Sequence, residues 1–401
     1  MLMFVLFMIA LIIFVGLGLD LGFAYITKAN LSKAVDAAAL MAMRNVSRGT
    51  ATAQSLGSAT FAANYGRPRR DVSVVSPVIT FGTENNNLTV DVSATATIST
   101  FFIRVLGAIP GLSNWETLQV SSTARATRPN LILSLVLDRS SSMLENGGSS
   151  ALPGAVANFI DLFDDDLDRA SLSTFSWGSS VDVPMEHNFK QDIKDAAQSM
   201  AFIPLSTTCA ERGLTNGFAQ NESVTPLPGE QVVKIVVFFT DGMANTFNYE
   251  FDCGSRDIFV DGLLFDPVTG ATAGTGCTVP VTVSAIDPQT GTLTPDAVTV
   301  TSCEEMHFQA EDRAERIAYL ARAQENIVFS IGMGSPGAEG ECGGTFPVLN
   351  PAFLKKVANS IGSANYNSDQ PTGDYAIAAN SGELDQVFQE IANKILARLS
   401  R

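Results

Sequence analysis

The sequence predicts an α/β protein: an N-terminal transmembrane helix and a small helix-plus-β module, followed by a doubly wound, mostly parallel sheet. Three observations carry that expectation. The first 19 residues, MLMFVLFMIALIIFVGLGL, contain no charged side chain. Residues 71–128 hold β-type runs broken by turn signals, and from Pro129 onward buried-type strands alternate with amphipathic helices. Composition bounds the rest. A chain of 401 residues exceeds one ordinary domain, at roughly 100–200 residues each. Hydrophobic residues make up 46% and charged residues 16%, which excludes a disordered chain. Acidic side chains outnumber basic ones by 41 to 25, and the formal charge of −16 argues against nucleic acid as a partner and for metal cations.

Residues 1–22 are expected to form the anchor, because the charge-free run spans about the thickness of a hydrocarbon core at 1.5 Å per residue. A signal peptide would show a basic start, a shorter apolar core and a small-residue cleavage site, none of which is clear. The chain continues as LGFAYITKANLSKAVDAAALMAMRNV without proline. Leu31, Ala34, Val35, Ala38, Met41 and Ala42 recur at helical spacing, so one long helix is expected, embedded at its start and amphipathic afterwards. Its apolar face suits its own domain or a partner subunit equally. Residues 23–128 then complete a module whose strands are VSVVSPVITFG, LTVDVSATATIST and LQVSSTARATR, with TENNN and GAIPGLSN as turns. Arg67, Arg69 and Arg70 at the junction read as a solvated loop rather than a lipid-binding patch.

Residues 129–401 form the second expected domain. LILSLVL, ASLSTFSW, VVKIVVFFT and IVFSIGM read as strands; PGAVANFIDLF, IKDAAQSMAF, AERIAYLARAQ and ELDQVFQEIANKILARL read as helices. That alternation implies a parallel sheet covered on both faces. A Gly-, Thr-, Pro- and Val-rich stretch at about 250–303 interrupts it as a β-rich insertion. Five cysteines, at 209, 253, 277, 303 and 342, include no CxxC pair. If the body is exported, at least one disulfide involving Cys253, Cys277 or Cys303 is expected.

The chemistry concentrates where strands end. In an open parallel sheet, ligands bind beyond the carboxyl ends of the strands. LILSLVL runs directly into Asp138, Ser140 and Ser142, a D-x-S-x-S pattern, and VVKIVVFF ends in Thr240-Asp241-Gly242. Between them lies STTCAERGL, where Thr208 stands five residues before the Gly213-Leu214 pair that begins a helix, with Thr207 as its rival. Two serine hydroxyls, one threonine hydroxyl and two aspartates suit a hard divalent cation, magnesium first and manganese or calcium as alternatives. Such an incomplete shell leaves a position for an acidic side chain of another protein. The competing reading of Ser140 and Ser142 is ordinary helix N-capping.

With these residues in place, 129–401 resembles a von Willebrand factor type A domain. That resemblance implies a metal-ion-dependent adhesion site at Asp138, Ser140, Ser142, Thr208 and Asp241, with the hydroxyls coordinating and the aspartates acting mainly through water. VGLGLDLGFAYITKANLSKAVDAAALMA, with Asp20 and Asp36-Ala37-Ala38-Ala39-Leu40, is similar to the TadE/TadG-like segment of Flp-type pilus assembly proteins. It implies a single-pass anchor in a bacterial inner membrane, with the body in the periplasm or otherwise outside the cytoplasm. No catalytic motif competes. The two histidines, His187 and His307, lie in no H-E-x-x-H, and neither a G-x-S-x-G nor a phosphate loop is present. His187 and His307 are expected in surface or capping roles. The expected function is therefore non-enzymatic: metal-dependent capture of an acidic protein partner, with pilus-assembly components as candidates. The alternative is a structural pilus-assembly or secretion scaffold whose type A site is vestigial.

Overall fold

The computed structural model describes residues 2–66, 71–102, 116–204, 206–252, 257–265, 272–273, 281–286, 293–300, 303–335, 339–341 and 346–399. They divide into two compact units. One comprises Met1–Pro129 with Pro228–Glu230 and Leu399–Arg401; the other comprises Asn130–Leu227 and Gln231–Arg398.

In the first unit, α1 (Leu2–Arg44) is one continuous helix. Leu31, Ala34, Val35, Ala38 and Ala42 are fully buried, while Met41 is only partly so. A turn at Gly49, with φ of 95°, leads into α2 (Thr50–Tyr65), a helix whose small-residue sequence carries little amphipathic signal. The two helices approach closely at Gly57, where a Cβ would lie 3.2 Å from both the Ala38 carbonyl and the Ala42 side chain. The sheet follows as β1 (Val72–Val74), β2 (Val78–Glu84), β3 (Asn87–Ser99) and β4 (Thr117–Arg128), all antiparallel to the central β3. Asn85 and Asn86, at φ of 50° and 64°, form the tight turn between β2 and β3 that favours asparagine. Among the described residues no helix is long and apolar enough to cross a membrane. The side chains of residues 2–6, 9–10 and 12–13, within the charge-free run, lie outside the description, as do Arg67, Arg69 and Arg70. The transmembrane part of the expected fold is thus not shown.

The second unit is α/β. It begins with β5 (Asn130–Asp138), α3 (Ser142–Glu145), α4 (Gly148–Ile160), β6 (Arg169–Phe175) and β7 (Ser179–Glu186). Next come α5 (Phe189–Gln198), α6 (Ala210–Glu222) and β8 (Val232–Thr240). The insertion forms β9 (Thr246–Asp252), β10 (Asp257–Phe265), β11 (Thr272–Ala273), β12 (Val281–Ile286) and β13 (Leu293–Val300), paired as two small antiparallel sheets. The chain closes with α7 (Cys303–Ala323), β14 (Ile327–Met333), β15 (Glu339–Glu341), β16 (Phe346–Pro347), α8 (Pro351–Val357), β17 (Tyr375–Ala378) and α9 (Leu384–Leu399). Cys253, Cys277, Cys342 and the side chain of Cys303 lie outside the described residues, and the disulfide expectation with them.

The main sheet runs β17-β14-β8-β5-β6-β7, parallel except for β7 at one edge. Its two faces are visible in adjacent residues of β8. Phe238 stacks on Phe175 and meets Phe353 of α8 edge-on, whereas Phe239 turns to the other face and packs 5.7 Å from Phe388 of α9. With both faces covered, every residue of β5 is buried, which is why that strand reads as a nearly unbroken apolar run.

Candidate metal centre

β5 and β8 pair in parallel, with Leu137 opposite Phe239, so the next residues, Asp138 and Thr240, end the two strands side by side. Asp138 is fully buried. Its Oδ2 accepts a hydrogen bond from the Thr240 hydroxyl at 2.7 Å, and its Oδ1 accepts the Ser140 N–H at 2.8 Å, which closes the loop after β5. Ser140 Oγ lies 3.1 Å from Ser142 Oγ, and Ser142 donates to Asp241 Oδ1 at 2.7 Å. The other carboxylate oxygen of Asp241 accepts from Asn146 Nδ2 at 2.6 Å. Neither serine serves as a helix cap: the residue before the one-turn α3 is Ser141, and its side chain makes no capping bond. Instead Ser141 Oγ donates to the Ser206 carbonyl at 2.8 Å, tying the serine loop to the threonine loop.

In that second loop, the Thr208 N–H donates to Asn245 Oδ1 at 2.8 Å and its carbonyl accepts the Asn245 N–H at 3.1 Å. Both threonines are buried, at 4% exposure for Thr208 and 8% for Thr207. Thr207 Oγ1 is a buried hydroxyl without a hydrogen-bond partner. Four of the five expected residues thus form one connected network, Asp138, Ser140, Ser142 and Asp241. Thr208 is held beside Asn245, four residues beyond Asp241. Thr240, Asn146 and Asn245 complete the arrangement without having been singled out as site residues. Thr240 could have been found from its place in T-D-G, but the asparagines carry no local signal.

Both aspartates are pushed up from the usual carboxylate range, first by burial; for Asp241 the neighbouring Asp138 charge raises it further, while the donated hydrogen bonds pull the other way. Among the described residues no cationic side chain is a main cause of either shift. Two buried carboxylates facing hydroxyls without a countercharge are costly unless something positive completes them. The donor set, all oxygen with only two carboxylates, fits a hard divalent cation. Among the described residues no group of three or more His, Cys, Asp or Glu side chains could hold a metal, so a centre here depends on its hydroxyls. The histidines play no part. His187 Nδ1 pairs with the Asp168 carbonyl, and His307, expected in a surface or capping role, is instead buried within α7 with its Nδ1 against the Ala244 carbonyl.

Comparison with known families matches residues 1–45 to putative Flp pilus-assembly TadE/G-like proteins and residues 133–253 to the von Willebrand factor type A domain. No match is found among curated proteins. Proximal thread matrix protein 1 from the mussel byssus, also solved with zinc in its MIDAS motif, is similar at 14% identity and a TM-score of 0.39, over 67% of this chain and 46% of that one. The pilus adhesin SpaC from Lactobacillus rhamnosus GG is similar at 14% identity and 0.45, over 82% of this chain and 35% of that one. The von Willebrand factor domain of the type V pili tip protein Mfa5 from Porphyromonas gingivalis aligns at 14% identity and 0.45, over 69% of this chain and 98% of that one. The chain thus spans less than half the length of the first two.

Proposed function

We propose that this chain is a membrane-anchored, non-enzymatic binding module of Flp-type pilus assembly, in which Asp138, Ser140, Ser142, Thr208 and Asp241 would hold a divalent cation that leaves a position for an acidic residue of a protein partner. The observation that carries this reading is the meeting of two buried carboxylates with serine and threonine hydroxyls at the ends of β5 and β8. When bound, magnesium, or else manganese or calcium, would supply a Lewis-acidic position for the incoming carboxylate. The chain's own residues do the rest. Thr240 and the Ser140 amide fix the Asp138 carboxylate, while Ser142 and Asn146 fix Asp241, so that the oxygens keep their positions before any partner arrives. The anchor over residues 1–22 would place the body outside the cytoplasm at a bacterial inner membrane, in keeping with the TadE/G-like match over 1–45.

The test is Asp138→Ala in the host. Loss of piliation or adhesion, with the protein still present in the membrane, supports capture through the site; normal piliation and adhesion would sink it. The same TadE/G-like match favours a second reading, a structural assembly part whose site is vestigial, and a charge placed at the buried Ala38 separates the two. If assembly depends on the helix alone, that variant fails while Asp138→Ala behaves as wild type.

A further inference from the structure

Asp20 is the first charged residue of the chain, yet only 4% of it is exposed. Its Oδ1 accepts the Phe101 N–H at 3.2 Å and its Oδ2 accepts the Phe102 N–H at 2.9 Å. The turn after β3 is therefore brought back onto α1 from 81 and 82 residues along the chain. Gly16, one helical turn earlier, makes room for it: a Cβ there would fall 2.5 Å from the Cβ and Cγ of Phe102. Even so, Phe101 and Phe102 remain 46% and 42% exposed. Phe14, Val15, Leu19, Leu21, Tyr25 and Ile26 of α1 are exposed along the same stretch of the helix. An apolar surface of that extent marks an interaction site.

We propose that this turn is a second lipid contact, in which Phe101 and Phe102 enter the interfacial layer of the bilayer beside α1 and Asp20 is the positioning residue that holds them at that depth. The inference rests on the anchor reading above. The 19-residue charge-free run would span about 28 Å, close to a hydrocarbon core, and Gly16 lies about 4.5 Å inside its end. Phenylalanines on the apolar face of an interfacial segment bury at the headgroup–acyl boundary, which is where that depth puts Phe101 and Phe102. Backbone N–H groups near hydrocarbon must be satisfied within the protein, and the Asp20 carboxylate satisfies two at once. Those two bonds in turn offset the cost of burying its charge.

The full chain, reconstituted in nanodiscs of phosphatidylcholine with brominated acyl chains, tests this by tryptophan quenching. With Trp115 and Trp177 replaced by phenylalanine, single tryptophans are placed by Phe14→Trp, Phe101→Trp or Phe102→Trp; Phe101 guards against misfolding at the tighter Phe102 site. The expected result is loss of emission at all three positions, with emission at 101 recovering when Asp20→Ala is added. Loss at 14 without loss at either 101 or 102 overturns the second contact, leaves the anchor standing and points to a protein covering the turn. No loss at 14 overturns the anchor reading and this inference together. Quenching at 101 that is indifferent to Asp20→Ala overturns the positioning role.

Discussion

Asp138 and Asp241 act against each other, since the Asp138 charge raises Asp241 beyond what burial does. Without metal, Asp241→Asn should remove a buried repulsion and stabilise the domain by roughly 1 kcal/mol near neutral pH, where the wild-type pair is forced to share charge. At a magnesium concentration of about 100 Kd the wild type should gain about 2.7 kcal/mol, and the variant little; urea titrations with and without metal read both. Thr208→Val should lower magnesium affinity, whereas Thr207→Val, which deletes a hydroxyl that has no partner, should leave affinity unchanged and stability level or slightly higher. The reverse pattern would hand the ligand role to Thr207. A separate group predicts pH dependence. Burial pushes Glu311 of α7 up to about 8 from 4.5, and one of its carboxylate oxygens has no hydrogen-bond partner. A folded value above the unfolded one means stability fully present below about 4.5 and lost as pH rises through about 8, on the order of a few kcal/mol. Glu311→Gln should flatten that decline; an equally steep one would refute the assignment. At this scale the two aspartates were legible because each ends an apolar run, while Asn146 was not. Its bond to Asp241 spans 95 residues, and nothing local announces it.

Close packing of α6 on β5 and β8 braces the strand ends that carry the site. α6 lies so close to β5 that a Cβ at Gly217 would fall 2.3 Å from Val136 Cγ2, and one at Gly213 would fall 2.5 Å from Phe175. Asn221, fully buried on the same helix, accepts from Ser134 of β5 at 2.7 Å and donates to the Ile235 carbonyl of β8 at 2.9 Å. These contacts fix the helix that follows the threonine loop against the two strands that end in Asp138 and Thr240. Gly217→Ala should therefore cost about 1–3 kcal/mol by overpacking, seen as a lower urea midpoint with an unchanged slope. A neutral result would mean that α6 is free to shift. The buried strands and the longer helices could be read from their periods. β7, half-exposed at the sheet edge, and α2, rich in small residues, could not, since each carries too weak a pattern to separate from loop.

For the whole molecule, the alternation of strand and helix was enough to place the chain among α/β proteins, and the two family matches fall on the segments whose motifs pointed to them. The chain carries a formal charge of −16, and at the ends of β5 and β8 two of its acidic side chains are buried and bonded to hydroxyls. On the function proposed above, this cluster is a cation site built before a partner arrives. Calorimetric titration of the full, detergent-solubilised chain with magnesium, beside Asp138→Ala, tests it most directly. One saturable site is expected in the wild type and none in the variant, with both remaining folded; no saturable binding, or binding that survives the substitution, would rule the cation site out.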